Sequence, residues 1–146
     1  VCRLNVPEET TVGREWVFLL GRVLFATLFL ASGFNHLANT SSLTQYAAAK
    51  KVPAPRAAVL LTGVILLVGG LSVLLGFRPE VGLGLIGLFL LVVTPKMHNF
   101  WTLEDPMMRA TDMAHFLKNL ALLGATLMLL AANTVLPHPW PYALGR

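Results

Sequence analysis

Charge is scarce in this sequence. Only 12% of its 146 residues are Asp, Glu, Lys or Arg, about half of the roughly 25% usual in a soluble domain. Hydrophobic side chains make up 55%, too much apolar surface for so short a chain to hide inside a globule. That argues against a soluble enzyme and for a bilayer as the solvent. Cysteine is nearly missing as well. The single Cys2 excludes an internal disulfide, a Cys-x-x-Cys redox pair and a thiolate cluster for zinc or iron–sulfur. It is expected to be a lone thiol, with lipid attachment as the alternative. Neither His-x-x-x-His nor Glu-x-x-His spacing occurs, so no metal site is expected. The formal charge is +4, but the basic residues are scattered between apolar runs. They form no stripe of the kind nucleic acid needs, which leaves anionic lipid head groups as the expected partner. No basic n-region or small-residue cleavage site precedes the first apolar run, which therefore reads as a span and not a signal peptide.

Long hydrophobic runs are what the sequence does have. Four of them, near 16–37, 57–75, 81–97 and 113–132, approach the roughly 20 residues that cross a hydrocarbon core of about 30 Å. Segments 62–76 and 81–94 carry no charge at all, which soluble amphipathic helices with a wet face cannot do. The expected fold is all-α, a single membrane-embedded four-helix bundle spanning 1–146. Gly76-Phe77-Arg78-Pro79 is a helix stop followed by a tight reversal. Ser42-Leu43-Thr44-Gln45 has capping-box spacing, predicting a short interfacial helix that starts near Ser42 and ends near Lys51, before Val52-Pro53-Ala54-Pro55. Asp105-Pro106 predicts an N-cap for the fourth long helix, well ahead of its entry into lipid. An even number of spans puts both ends on one side, termed side A, and the first and third connections on side B. Side A carries Arg3, Arg14, Arg78 and Arg146, and side B Lys50, Lys51, Arg56, Lys96 and Arg109. That bias is too small for the positive-inside rule to fix an orientation.

Each span carries a stripe at helical spacing that is expected to face its neighbours. The stripes are Arg22, Phe25, Phe29, Ser32, His36 on the first span and Thr62, Leu66, Gly69, Ser72, Gly76 on the second. On the third they are Gly84, Gly87, Leu91, Thr94, His98, and on the fourth His115, Lys118 or Asn119, Leu122, Thr126, Leu129. His36, His98, His115, Lys118 and Asn119 all fall toward side B and predict one connected polar mouth beneath Trp101. Two histidines on facing helices can flank a haem. A quinone ring needs only an apolar slot with one or two donors, such as His98 with Asn119 or Lys118. Lys118 is expected to snorkel or to pair with Asp112 or Asp105, and Arg22 is expected to be a structural buried charge with Glu15, Glu80 or Asn133 as partner. The tail, 134–146, holds Pro137-His138-Pro139-Trp140-Pro141-Tyr142, which is not helical. It reads either as an interfacial anchor or as a segment that docks on another subunit.

The ordered set of Gly21-Arg22, Ser32-Gly33-x-x-His36, Val52-Pro53-Ala54-Pro55, Gly69-Gly70 through Leu74-Leu75-Gly76, Thr94 with His98-Asn99-Phe100-Trp101, and Phe116-Leu117-Lys118-Asn119-Leu120-Ala121-Leu122 resembles the DoxX family of small bacterial four-span membrane proteins. His36 departs from it, since many relatives carry lysine there. The resemblance implies a four-helix bundle in the bacterial cytoplasmic membrane and an association with redox chemistry, some relatives being parts of thiosulfate:quinone oxidoreductases. It supplies no catalytic residue set. Three functions follow as expectations. The first is a non-catalytic accessory or scaffold subunit of a larger membrane redox complex, with no cofactor of its own and other membrane subunits as partners. The second is a quinone-reactive subunit using His98, Lys118 and Asn119. The third, a small-solute or lipid carrier, lacks the repeated halves and broken helices usual in transporters.

Overall fold

Residues 8–135 and 140–144, described by a computed structural model, contain α1 (Glu8–Ala38), α2 (Thr40–Ala49), α3 (Pro55–Leu75), α4 (Pro79–Met97), a single 3-10 turn (Phe100–Thr102) and α5 (Pro106–Val135), with no strand among them. Cys2, Arg3, Arg146 and Pro137-His138-Pro139 lie outside the described residues. Four helices, α1, α3, α4 and α5, are long and apolar enough to cross a membrane. With 30 residues, α5 is about 45 Å long at 1.5 Å per residue, so its first turns project beyond the hydrocarbon core on side B.

The connections follow local chemistry. Gly76 takes φ 65°, a left-handed conformation that glycine adopts without strain, and closes α3 by donating to Ser72 and Val73 carbonyls. Ser72 Oγ lies 2.7 Å from the Phe77 carbonyl and 2.9 Å from that of Arg78, tying down the turn before Pro79 opens α4. Asp105 Oδ1 accepts from the Met108 amide at 2.8 Å, the N-cap its position ahead of Pro106 predicts. The capping-box expectation fails. Ser42 lies inside α2, which begins at Thr40 after Asn39 with no side-chain cap. Helix α1 runs almost directly into α2: Asn39 N–H still bonds the Asn35 carbonyl and Leu43 N–H the Asn39 carbonyl, so the helix start falls ahead of Ser42, which has no capping role.

Neighbouring long helices run in the order α1, α3, α4, α5, with α2 laid against α3 and the end of α1. Small residues set the spacing, as they must where lipid offers no hydrophobic drive. A Cβ on Gly33 would stand 2.9 Å from the Gly63 carbonyl, and one on Gly82 would stand 2.8 Å from the Gly69 carbonyl. The core is Ala26, Phe29, Leu66, Val73, Leu83, Ile86, Leu90 and Trp140. On α4 the buried stripe is Gly82, Leu83, Ile86, Leu90 and Thr94. Of the expected stripe Thr94 is buried, His98 is half-buried and Gly87 faces Thr126 and Leu123, but Gly84 and Leu91 do not face the bundle. Helix α1 and helix α5 stand apart, leaving a seam between them.

Candidate functional site

On side B, side chains of α2 reach the ends of α4 and α5. Tyr46 donates to the Met97 carbonyl at 3.4 Å. Lys50, the residue that ends α2, reaches Asn99 Oδ1 at 2.9 Å and Asp112 Oδ2 at 3.2 Å. The other carboxylate oxygen of Asp112 lies 3.4 Å from His98 Nδ1. A carboxylate only accepts, so Nδ1 carries the proton in that contact. The three side chains are largely buried, and together they lock α2, the end of α4 and the start of α5.

Outside this lock lies an open groove of about 820 Å³ bordered by Lys51, Lys96, Trp101 and Met107. Inside it, toward the membrane, lies a cavity of about 210 Å³ bordered by Ser32, His36, His98, Lys118 and Asn119 among apolar Phe29, Phe89 and Leu122. Tyr46 borders both spaces. His36 Nδ1 lies 2.7 Å from the Ser32 carbonyl of its own helix. Nδ1 is therefore the donor, and Nε2 is the free nitrogen of the neutral ring. Asn119 is 8% exposed and borders the cavity; its amide is not one of the buried side-chain groups that lack a partner among the described residues, which are Arg22 Nε, Thr44 Oγ1 and Thr94 Oγ1.

Of the five residues read from the sequence, four border this cavity. The fifth, His115, is exposed, but its ring stacks on His98 with centroids 5.2 Å apart. Lys118 does not pair with Asp112, which is taken by Lys50 and His98, nor with Asp105, which caps α5. At about 100° per residue, positions 112 and 118 point to different faces of α5, whereas 112 and 119 share one. Lys50, Asn99 and Asp112 complete the mouth and are absent from the five. Their signal was Asp112 lying one heptad before Asn119. Among the described residues no group of three or more His, Cys, Asp or Glu side chains could hold a metal ion.

Side A is closed by the chain itself. Trp140 is 6% exposed, meets Phe18 edge to face at 5.3 Å and donates Nε1–H to Asn133 Oδ1 at 2.6 Å. Arg22 Nη1 donates to the Pro141 carbonyl at 2.9 Å, and Leu144 N–H to the Leu75 carbonyl at 2.9 Å. The described part of the tail, 140–144, therefore packs on its own bundle. Trp140 fills the side A end of the seam, while Tyr142, set against Trp16 with ring centroids 5.4 Å apart, and Leu144 remain exposed. The partners expected for Arg22 are corrected too. Glu80 lies beside Arg78 at 3.8 Å and Asn133 serves Trp140, so Arg22 is held by a backbone carbonyl and the Trp140 ring, 6.0 Å away.

Four long apolar helices around a polar mouth define a small multi-pass membrane protein. The chain belongs to the DoxX family, whose model matches residues 17–99, more than half of its length and nearly all of α1 to α4. The α5 groups Asp112, His115, Lys118 and Asn119 lie beyond the matched segment. No curated protein and no solved structure matches the chain.

Proposed function

We propose that this protein is a membrane subunit of a larger redox assembly in the bacterial cytoplasmic membrane, and that it holds a quinone head group between α1, α4 and α5. The observation that carries this reading is the convergence of Asn119, His36, His98 and Lys118 on one otherwise apolar cavity. A bound quinone would supply a lipid-soluble carrier of two electrons and two protons, the electrons passing to or from an assembled partner subunit. The cavity, about 210 Å³, is below the roughly 300–1,000 Å³ of sites for whole drug-sized ligands. It suits a ring whose isoprenoid tail stays in the lipid of the α1–α5 seam.

Within this reading each side chain has a task. Asn119 donates N–H to a carbonyl oxygen and fixes the ring. His98 gives or takes a proton at Nε2, while Asp112, held by Lys50, orients its ring through Nδ1. His36 offers Nε2 as a second proton acceptor. Lys118, on the lipid side of the cavity, attracts a developing negative charge. The purified protein in nanodiscs, titrated with a short-chain quinone, tests this. Asn119→Leu should weaken saturable binding at least tenfold while the fold, followed by circular dichroism, is unchanged. Equal affinity in both proteins would remove the site.

A further inference from the structure

A second cavity of about 390 Å³ lies in the same seam toward side A, bordered by Phe18, Phe25, Val73, Met128 and Trp140, with Arg22 as its one ionic group. Arg22 is 6% exposed. Nη1 has the Pro141 carbonyl, but Nε is buried and has no acceptor. The ion pairs among the described residues are Lys50–Asp112, Arg78–Glu80 and His98–Asp112, so no carboxylate neutralises this guanidinium. One carbonyl and one ring face are thin compensation for a desolvated cation with five donors. A trapped water is a poor substitute, because it needs two to four polar partners and Trp140 Nε1–H is already given to Asn133. What complements the site is an oxyanion carried on a hydrocarbon body. Because α1 and α5 stand apart, that body has a way out into the bilayer.

We infer that Arg22 binds the oxyanion head of a membrane amphiphile, a fatty-acid carboxylate or a phospholipid phosphate, whose chain occupies the side A cavity. Phe25 borders this cavity and Phe29 the quinone cavity, with their ring centroids 4.9 Å apart, so the two sites are separate and the inference is independent of the quinone reading.

Trp140 borders the cavity and provides the readout. In the full chain carrying Trp16→Phe and Trp101→Phe, Trp140 is the sole tryptophan. Dibromostearic acid, a dibrominated phosphatidic acid and dibrominated methyl stearate are each titrated into the detergent-solubilised protein. Saturable quenching by one or both acids is expected, the responsive acid identifying the carboxylate or the phosphate as the head group. The neutral ester should need at least tenfold more, and Arg22→Gln should weaken acid binding at least tenfold. Should Arg22→Gln fail to fold, Ala132→Phe fills the cavity with Arg22 in place and should abolish saturable quenching. Ester and acid binding alike, unchanged affinity in Arg22→Gln or Ala132→Phe, or no saturable quenching by either acid would overturn the inference.

Discussion

Replacing Asp112 by asparagine removes the charge that both Lys50 and His98 address, at 3.2 and 3.4 Å. Two unit charges 4 Å apart attract by about 4 kcal/mol at an effective dielectric of 20, which sets a ceiling. Desolvation of both partners takes back part of it, and Lys50 keeps Asn99 Oδ1 at 2.9 Å, so its ammonium is not wholly abandoned. A charge-assisted hydrogen bond is worth about 1.5–3 kcal/mol. Asp112→Asn should therefore destabilise the protein by about 2–3 kcal/mol, and Lys50→Met by a similar amount. The double variant should lose less than the sum, with a coupling of about 1–2 kcal/mol. Reversible unfolding in mixed micelles, followed by circular dichroism for all four proteins, measures this. Raising the salt should change the coupling little, because the pair is mostly out of water. Additive losses, within about 0.3 kcal/mol, would show that α2 is not locked to α5 through these charges.

Gly82→Val should destabilise strongly, by about 1–3 kcal/mol or more, because its Cβ would sit 2.5 Å from Ser72 Oγ. Gly84→Ala, with nothing within 4 Å of the new methyl, should be neutral or stabilising by up to about 1 kcal/mol; the same unfolding assay compares the two. Trp140→Ala leaves Asn133 and Arg22 without their ring partner and should cost about 3–5 kcal/mol, read as the unfolding midpoint and as faster proteolysis of the tail. In a Cys2→Ser background, single cysteines at Phe77 and Leu144 should react with an impermeant maleimide from one side of the membrane and those at Lys51 and Met107 from the other. Labelling of all four from one side would contradict the four-span topology.

The four spans, the Gly76–Pro79 reversal and the Asp105 cap were legible because each depends on a few adjacent residues. The facing of α4 was not. The sequence pattern puts Gly84 and Leu91 on the buried face in error, since in lipid both faces of a helix are apolar and periodicity loses its contrast. Pairing Lys118 with Asp112 weighs charge over helical phase, which puts 112 and 118 on different faces of α5. The Lys50–Asp112 contact joins residues 62 apart, and the Arg22–Pro141 bond spans 119. No local pattern announces pairs at such separations. Folding the tail back also puts Trp140 into the core, through the tertiary arrangement of Phe18, Asn133 and Trp140, while Tyr142 and Leu144 stay exposed.

Photolabelling tests the central claim most directly. The protein in nanodiscs is irradiated with an azido-quinone and its peptides are mapped by mass spectrometry. Adducts should fall among the lining of the side B cavity, on α1 between 28 and 36, on α4 and its cap between 89 and 98, and on α5 between 118 and 122, and excess unlabelled quinone should suppress them. Adducts confined to the Arg22 cavity, or spread over the lipid-facing surfaces and insensitive to competition, would contradict a quinone head-group site at Asn119 and His98.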